Sequence, residues 1–209
     1  MGTFASTSRA AETVKAVQER YVSLQSLTAR FTQISLRHTI TGGQEEITQK
    51  GHLSVQKPGK LRWDYEKPER ALYLSDGKTL TLYRAADKQV TVQAWDPDSL
   101  ALQFLLGRGN LEKDFVVREP TDNERGEWKL GAGLWLHLTP KPVPNSQMEA
   151  ISMMLLRVNA KSALIEEVVI ADPIGTKTRW MFEDLAVNPK LSGDLFSFKA
   201  PKGTRVVSP

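Results

Sequence analysis

From Gly51 to Tyr83 the chain reads GHLSVQKPGKLRWDYEKPERALYLSDGKTLTLY, and its apolar and polar positions alternate. Leu61, Trp63 and Tyr65 interleave with Arg62, Asp64 and Glu66. A period of two places a broad apolar strip on one face of a strand and charges on the other. Lys-Pro-Gly-Lys, Glu-Lys-Pro-Glu and Ser-Asp-Gly-Lys separate the runs. Proline presets φ and glycine accepts the positive φ that tight turns need, so these are turns between consecutive antiparallel strands. The stretch predicts a β-meander with one hidden face and one wet face.

Upstream the period changes. Ala10, Val14, Val17, Tyr21 and Leu24 recur at spacings of four and three, the stripe of an amphipathic helix, with Ser6, Thr7 and Ser8 as N-cap candidates. The run LTARFTQISLRH then moves its apolar residues from the side of Ala29 and Phe31 to that of Ile34 and Leu36, as at a bulge or in a strand buried on both faces. Gly42-Gly43 marks a hairpin turn before a strand from Glu46 to Gln56.

After Tyr83 a turn at Ala85 to Lys88 leads into a strand through Val90, Val92 and Ala94. Asp96 or Asp98 can cap a short helix bearing Leu100, Leu102, Phe104, Leu105 and Leu106, ended by Gly107 or Gly109. A helix apolar around most of its circumference needs cover on several sides, so it is expected against the inner face of the sheet. The second half returns to strands in FVVRE, EWKLGAGLWLHLTPK, MEAISMMLLRVN, ALIEEVVIAD and TKTRWMFEDLAVN, with Gly126 among the turn residues. The closing SGDLFSFKAPKGTRVV adds a turn or short helix and a last strand. About ten or eleven strands with few helices form a sheet that must curl over its apolar face or close. One domain over residues 1–209 is expected, with residues 1–8 flexible or foreign to the fold.

Composition narrows the partners. The 28 basic and 24 acidic residues give a net charge of +4 without charge runs, too dispersed to indicate nucleic acid. There is no cysteine, hence no disulfide and no thiol chemistry. No apolar run reaches the length of a membrane span, so the chain is expected to be soluble. The start, MGTFASTSRAAE, fits either a removed signal peptide or a cytosolic beginning.

His38, His52 and His137 lack partners at metal-ligand spacing and read as ordinary strand residues. No phosphate loop, nucleophile elbow or dinucleotide fingerprint occurs. Glu166-Glu167 and Glu45-Glu46 are adjacent in strands, which sends the members of each pair to opposite faces and leaves no acid/base pair. What remains is apolar surface in excess, including Trp63, Trp95, Trp128, Trp135, Trp180 and Met148, Met153, Met154, Met181. These build either an ordinary core or the wall of a cavity for a hydrophobic ligand.

The chain resembles the LolA family of periplasmic lipoprotein carriers. The resemblance rests on Ser26 to Gln33 after the first helix, on the Lys-Pro-Gly-Lys-Leu-Arg-Trp and Ser-Asp-Gly-Lys-Thr-Leu segments, on Leu138-Thr139-Pro140-Lys141, and on Phe196 to Gly203. It implies an unclosed antiparallel β-barrel, a half-barrel whose apolar cavity lies under a helical lid and shields the acyl chains of lipoproteins. Phe31, Leu61, Trp63, Tyr65, Leu72, Leu74, Leu102, Phe104 and Leu106 are the expected lining, with the last three closing on Leu61 and Trp63. The family usually carries an arginine latch before the proline of the Lys-Pro-Gly-Lys turn; Lys57 stands there, keeping the charge without the planar fork. The resemblance further implies an ATP-driven inner-membrane exporter (an ABC transporter) and an outer-membrane acceptor lipoprotein as partners, a monomer, a periplasmic location, and no cofactor, metal or catalysis. A related half-barrel that binds another lipid or senses envelope stress, and a hydrolase or transferase acting on a lipid, are the alternatives.

Overall fold

The structure, a computed structural model, describes residues 3–38, 42–95, 109–142 and 151–208. The elements in order are α1 (Thr3–Ser23), β1 (Ser26–His38), β2 (Gln44–Gln56), β3 (Lys60–Lys67), β4 (Ala71–Asp76), β5 (Thr79–Arg84) and β6 (Gln89–Ala94). There follow α2 (Leu111–Asp114), β7 (Phe115–Arg118), α3 (Asp122–Glu127), β8 (Leu134–Pro140), β9 (Met153–Val158), β10 (Ile165–Ala171), β11 (Lys177–Val187), a 3-10 turn (Gly193–Phe196) and β12 (Arg205–Val207). The strands hydrogen-bond in the order β12-β6-β5-β4-β3-β2-β1-β11-β10-β9-β8-β7. Each end strand has one neighbour, so the sheet is unclosed, as expected, with twelve strands among the described residues rather than ten or eleven. The registered pairs are antiparallel except β12 with β6. The helix expected from Asp96 to Gly109 falls largely outside the described residues.

The chain divides into two compact units. One comprises Met1–Ser23, Ile34–Ile47 and Ser99–Met181; the other comprises Leu24–Gln33, Thr48–Asp98 and Phe182–Pro209.

In the first unit α1 buries the stripe its sequence predicts: Ala10, Val14, Val17 and Tyr21 are all within 2% of full burial. The helix begins at Thr3, so Ser6, Thr7 and Ser8 lie inside it and are not caps. The Ile165 N–H donates to the Tyr21 hydroxyl at 3.2 Å. Burial pushes the Tyr21 phenol up to about 12, with the Ile165 bond and Arg20 opposing. On β8 and β9, Leu136 faces Leu156 and Leu138 faces Met154 on one side of the sheet. The other side carries Trp135, Leu155 and Val169, covered by Trp128, Leu130 and Met153. For these tryptophans the ordinary core is the right reading.

Two local readings are corrected here. The strand expected from Glu127 begins only at Leu134; α3 precedes it and ends at Glu127, because Thr121 and Glu124 form a reciprocal capping box and Gly126 sits within the helix. Glu166 and Glu167 do not diverge. A bulge between Ile165 and Glu167 turns both onto Arg157, at 2.7 and 3.0 Å. Arg179 Nη1 also lies 3.1 Å from Glu167, and its Nη2 donates to the Trp128 carbonyl. Lys177 lies 4.1 Å over the Trp128 ring. The acidic pair is consumed in structural ion pairs.

In the second unit the meander β2 to β6 forms as predicted. Two of its turns are joined. The Ser75 hydroxyl, fully buried, donates to the Gly59 carbonyl at 2.9 Å and accepts from the Gly77 N–H at 3.0 Å. A Cβ on Gly59, at φ +74, would lie 3.1 Å from the Gly77 Cα, so the glycines give the turns both their left-handed backbone and their close approach. After β11 the chain crosses one face of this meander, where Leu191, Leu195, Phe196 and Phe198 pack on Leu72, Leu74 and Tyr83. Arg62 fixes the crossing by donating to the Leu195 carbonyl at 3.0 Å.

Candidate functional site

The candidate site is the opposite face of the meander. Register pairs Leu53 with Trp63, Gly51 with Tyr65, and Trp63 with Tyr73. Ring centroids run continuously across it: Phe182 to Trp63 at 6.4 Å, Trp63 to Phe31 at 5.3 Å, Phe31 to Tyr65 at 5.1 Å, and Tyr65 to Tyr73 at 5.8 Å. Tilted and edge-on pairs at such distances are favourable aromatic geometry. Ala29, Phe31, Leu53, Val55 and Leu61 are buried beneath or beside this strip. Trp63, Tyr65, Leu80 and Leu82 are only half-buried, and Tyr73 is 44% exposed.

Gly51 makes the strip possible. A Cβ there would stand 1.8 Å from the Asp64 carbonyl oxygen and 3.0 Å from the Phe31 ring, so the ring lies across bare backbone. The Tyr65 hydroxyl and the Gln33 side-chain amide are tied down on this face. Tyr65 donates to the Gln33 side-chain carbonyl at 2.7 Å, and the Gln33 amide donates to Gln49 at 3.3 Å. The result is a broad apolar surface suited to alkyl chains.

Of the residues expected to line a cavity, Phe31, Leu61, Trp63 and Tyr65 come together here. Leu72 and Leu74 do not. They pair with Asp64 and Arg62, which places them on the other face, under Phe196. Leu102, Phe104 and Leu106 lie outside the described residues. Sequence reasoning missed Tyr73, Leu80, Leu82 and Phe182. Register alone brings Tyr73 opposite Leu82 and Ser75 opposite Leu80, and the alternation in TLTLY was the available signal.

Lys57 sits at the turn between β2 and β3. Its backbone N–H donates to the Gln25 carbonyl at 2.8 Å, and partial burial lowers the pKa of its ammonium group. The lid segment expected to receive its charge is outside the described residues.

A pocket of about 840 Å³ opens on the face that carries Arg62. Thr28, Arg30, Ser54, Asp64, Asp184 and Asp194 are among its walls. Four of its charges are paired: Arg30 with Asp184 at 2.6 Å and Arg62 with Asp64 at 2.7 Å. Among the described residues no group of three or more His, Cys, Asp or Glu could hold a metal ion, and no helix is long and apolar enough to cross a membrane.

Compared with known proteins, residues 22–199 match the family described as outer membrane lipoprotein carrier protein LolA. The chain belongs to the LolA family. An outer-membrane lipoprotein carrier protein of Cupriavidus necator is 31% identical over 91% of this chain and 85% of its own. One of the same name from Chromobacterium violaceum is 32% identical over 88% and 82%. Among solved structures, an uncharacterized conserved protein from Thermus thermophilus has a TM-score of 0.56 at 13% identity, covering 95% of this chain and 98% of that one. That likeness concerns the fold alone. The LolA match spans both meander turns, the whole aromatic strip and the crossing segment through Lys199.

Proposed function

We propose that this protein carries lipoproteins, holding their acyl chains on the aromatic strip of Phe31, Trp63, Tyr65, Tyr73 and Phe182. The observation that carries the reading is a half-buried apolar strip in a chain of the LolA family. Each acyl methylene removed from water is worth about 0.8 kcal/mol, so a surface of this kind is a sufficient source of affinity without any charged anchor. The carrier works in the periplasm. It receives cargo from an ATP-driven inner-membrane exporter and delivers it to an outer-membrane acceptor.

The test is transfer of a radiolabelled lipoprotein out of membrane vesicles. Trp63→Glu puts a carboxylate into the middle of the strip at a half-buried position, so the variant is expected to fold and to lose pickup. A folded Trp63→Glu protein that releases lipoprotein as the unmodified protein does overturns the assignment.

A further inference from the structure

The charge of the chain is unevenly shared. The unit made of Leu24–Gln33, Thr48–Asp98 and Phe182–Pro209 holds 14 of the 28 basic residues but only 10 of the 24 acidic ones, and with them the whole net charge of +4. Within that unit the excess gathers at one end of the strand ladder. Lys50 of β2 stands opposite Lys67 at the end of β3. Arg70 follows in the next turn, where its carbonyl accepts from the Ala85 N–H at 3.0 Å. Arg84 pairs with Gln89 across the β5–β6 turn, which also contains Lys88. Arg205 pairs with the same Gln89 from the other side, and its N–H donates to the Lys88 carbonyl at 2.9 Å.

Lys202 lies in the turn just before β12. All seven cations are exposed. Strands neighbour each other at about 4.8 Å, so the five steps from β2 to β12 spread this row over about 24 Å. The carboxylates of this unit at the same end are Glu66, Glu69 and Asp87, and β2 carries Glu45 and Glu46 beyond Lys50. Glu66 is directed at His52, 3.1 Å away, and Asp87 lies 3.4 Å from Arg84.

We propose that this rim docks the protein on an anionic phospholipid surface. Apart from Lys50, in the middle of β2, the cations come from hairpin turns and strand ends, on flexible stems, without a concave site or a forked arrangement aimed at one carboxylate. Such a row matches a diffuse sheet of negative charge better than a shaped acidic protein surface. Each Lys or Arg brought close to an anionic leaflet strengthens binding by about fivefold, so several together give useful association that salt weakens. The proposal goes beyond the carrier reading, since it requires no cargo.

The experiment is co-sedimentation of the full chain with vesicles of phosphatidylglycerol and phosphatidylcholine, and with phosphatidylcholine alone, across a salt series. Binding is expected only to the anionic vesicles and is expected to fall as salt rises. Lys50→Glu/Lys67→Glu/Lys88→Glu should weaken it at least tenfold. Lys15→Glu/Lys113→Glu/Lys161→Glu changes the net charge equally but lies in the other unit, and should leave it within twofold. Equal binding to both vesicle types, no binding at low salt, or equal loss in both triple variants overturns the proposal. Retention on immobilised polyglutamate without vesicle binding also overturns it, and assigns the rim to an acidic protein.

Discussion

At Gly51 the extended backbone has no room for any side chain, because a Cβ would fall 1.8 Å from the Asp64 carbonyl oxygen. Gly51→Ala must therefore displace β2 from β3 or expel the Phe31 ring, and we expect a loss of roughly 3 kcal/mol or more in urea unfolding. The buried His137 gives a second residue-level prediction. It lies 3.4 Å from Glu124, whose carboxylate accepts from Arg118 at 2.7 Å. Arg118 holds the Glu124 carboxyl near 2, against burial and helped by Thr121; burial and Arg118 push the His137 imidazole below its ordinary 6.5. Both folded values are depressed, so both groups cost stability as pH falls. His137 acts from about 6.5 downward, and Glu124 acts from 4.5 towards 2. His137→Gln should flatten the upper part of the stability-versus-pH curve, and Glu124→Gln the lower part. Neither interaction is visible as sequence spacing, since Glu124 comes from a helix and His137 from β8.

Among the elements, the strands of the meander were legible because their turn chemistry is local: Lys-Pro-Gly-Lys and Ser-Asp-Gly-Lys each specify a reversal within four residues. The face of β4 was not. Apolar residues on β3 occupy odd positions, but on β4 Leu72 and Leu74 occupy even ones, and register sends them to the other side. Apolarity reports burial and not which layer buries it. That layer, Leu191 to Phe198, arrives more than a hundred residues later in the chain. The helix α3 is hidden for a different reason: Gly126 reads as a turn residue, and the Thr121-x-x-Glu124 box caps a helix of only six residues. Because the crossing segment rests on its apolar anchor, Phe196→Ala should cost about 3–5 kcal/mol. Arg62→Ala removes its bond to the Leu195 carbonyl together with its pair to Asp64, so it should raise amide exchange over residues 191–198, with a stability loss of about 1–2 kcal/mol.

For the molecule as a carrier, the difficulty is release. An acyl chain of ordinary length buried whole would gain on the order of 10 kcal/mol, a dissociation constant well below 1 μM by the usual conversion. The strip limits this gain. Trp63, Tyr65, Leu80 and Leu82 are already half-covered by the protein itself, and Phe31 and Leu61 almost wholly so. A chain entering must first lift part of that cover, and the energy spent there is subtracted from its affinity. Titration with a long-chain fatty acid, followed by calorimetry, should therefore give a dissociation constant of about 1 μM or weaker. Leu82→Ala, which removes cover without touching the Trp63–Phe31 pair, should bind no more than a few-fold differently. Trp63→Glu should weaken binding at least a hundredfold, while Leu74→Glu, on the buried opposite face, should unfold the protein. Dissociation constants in the low nanomolar range would show that opening costs little, and release would then need a driving force from outside the strip.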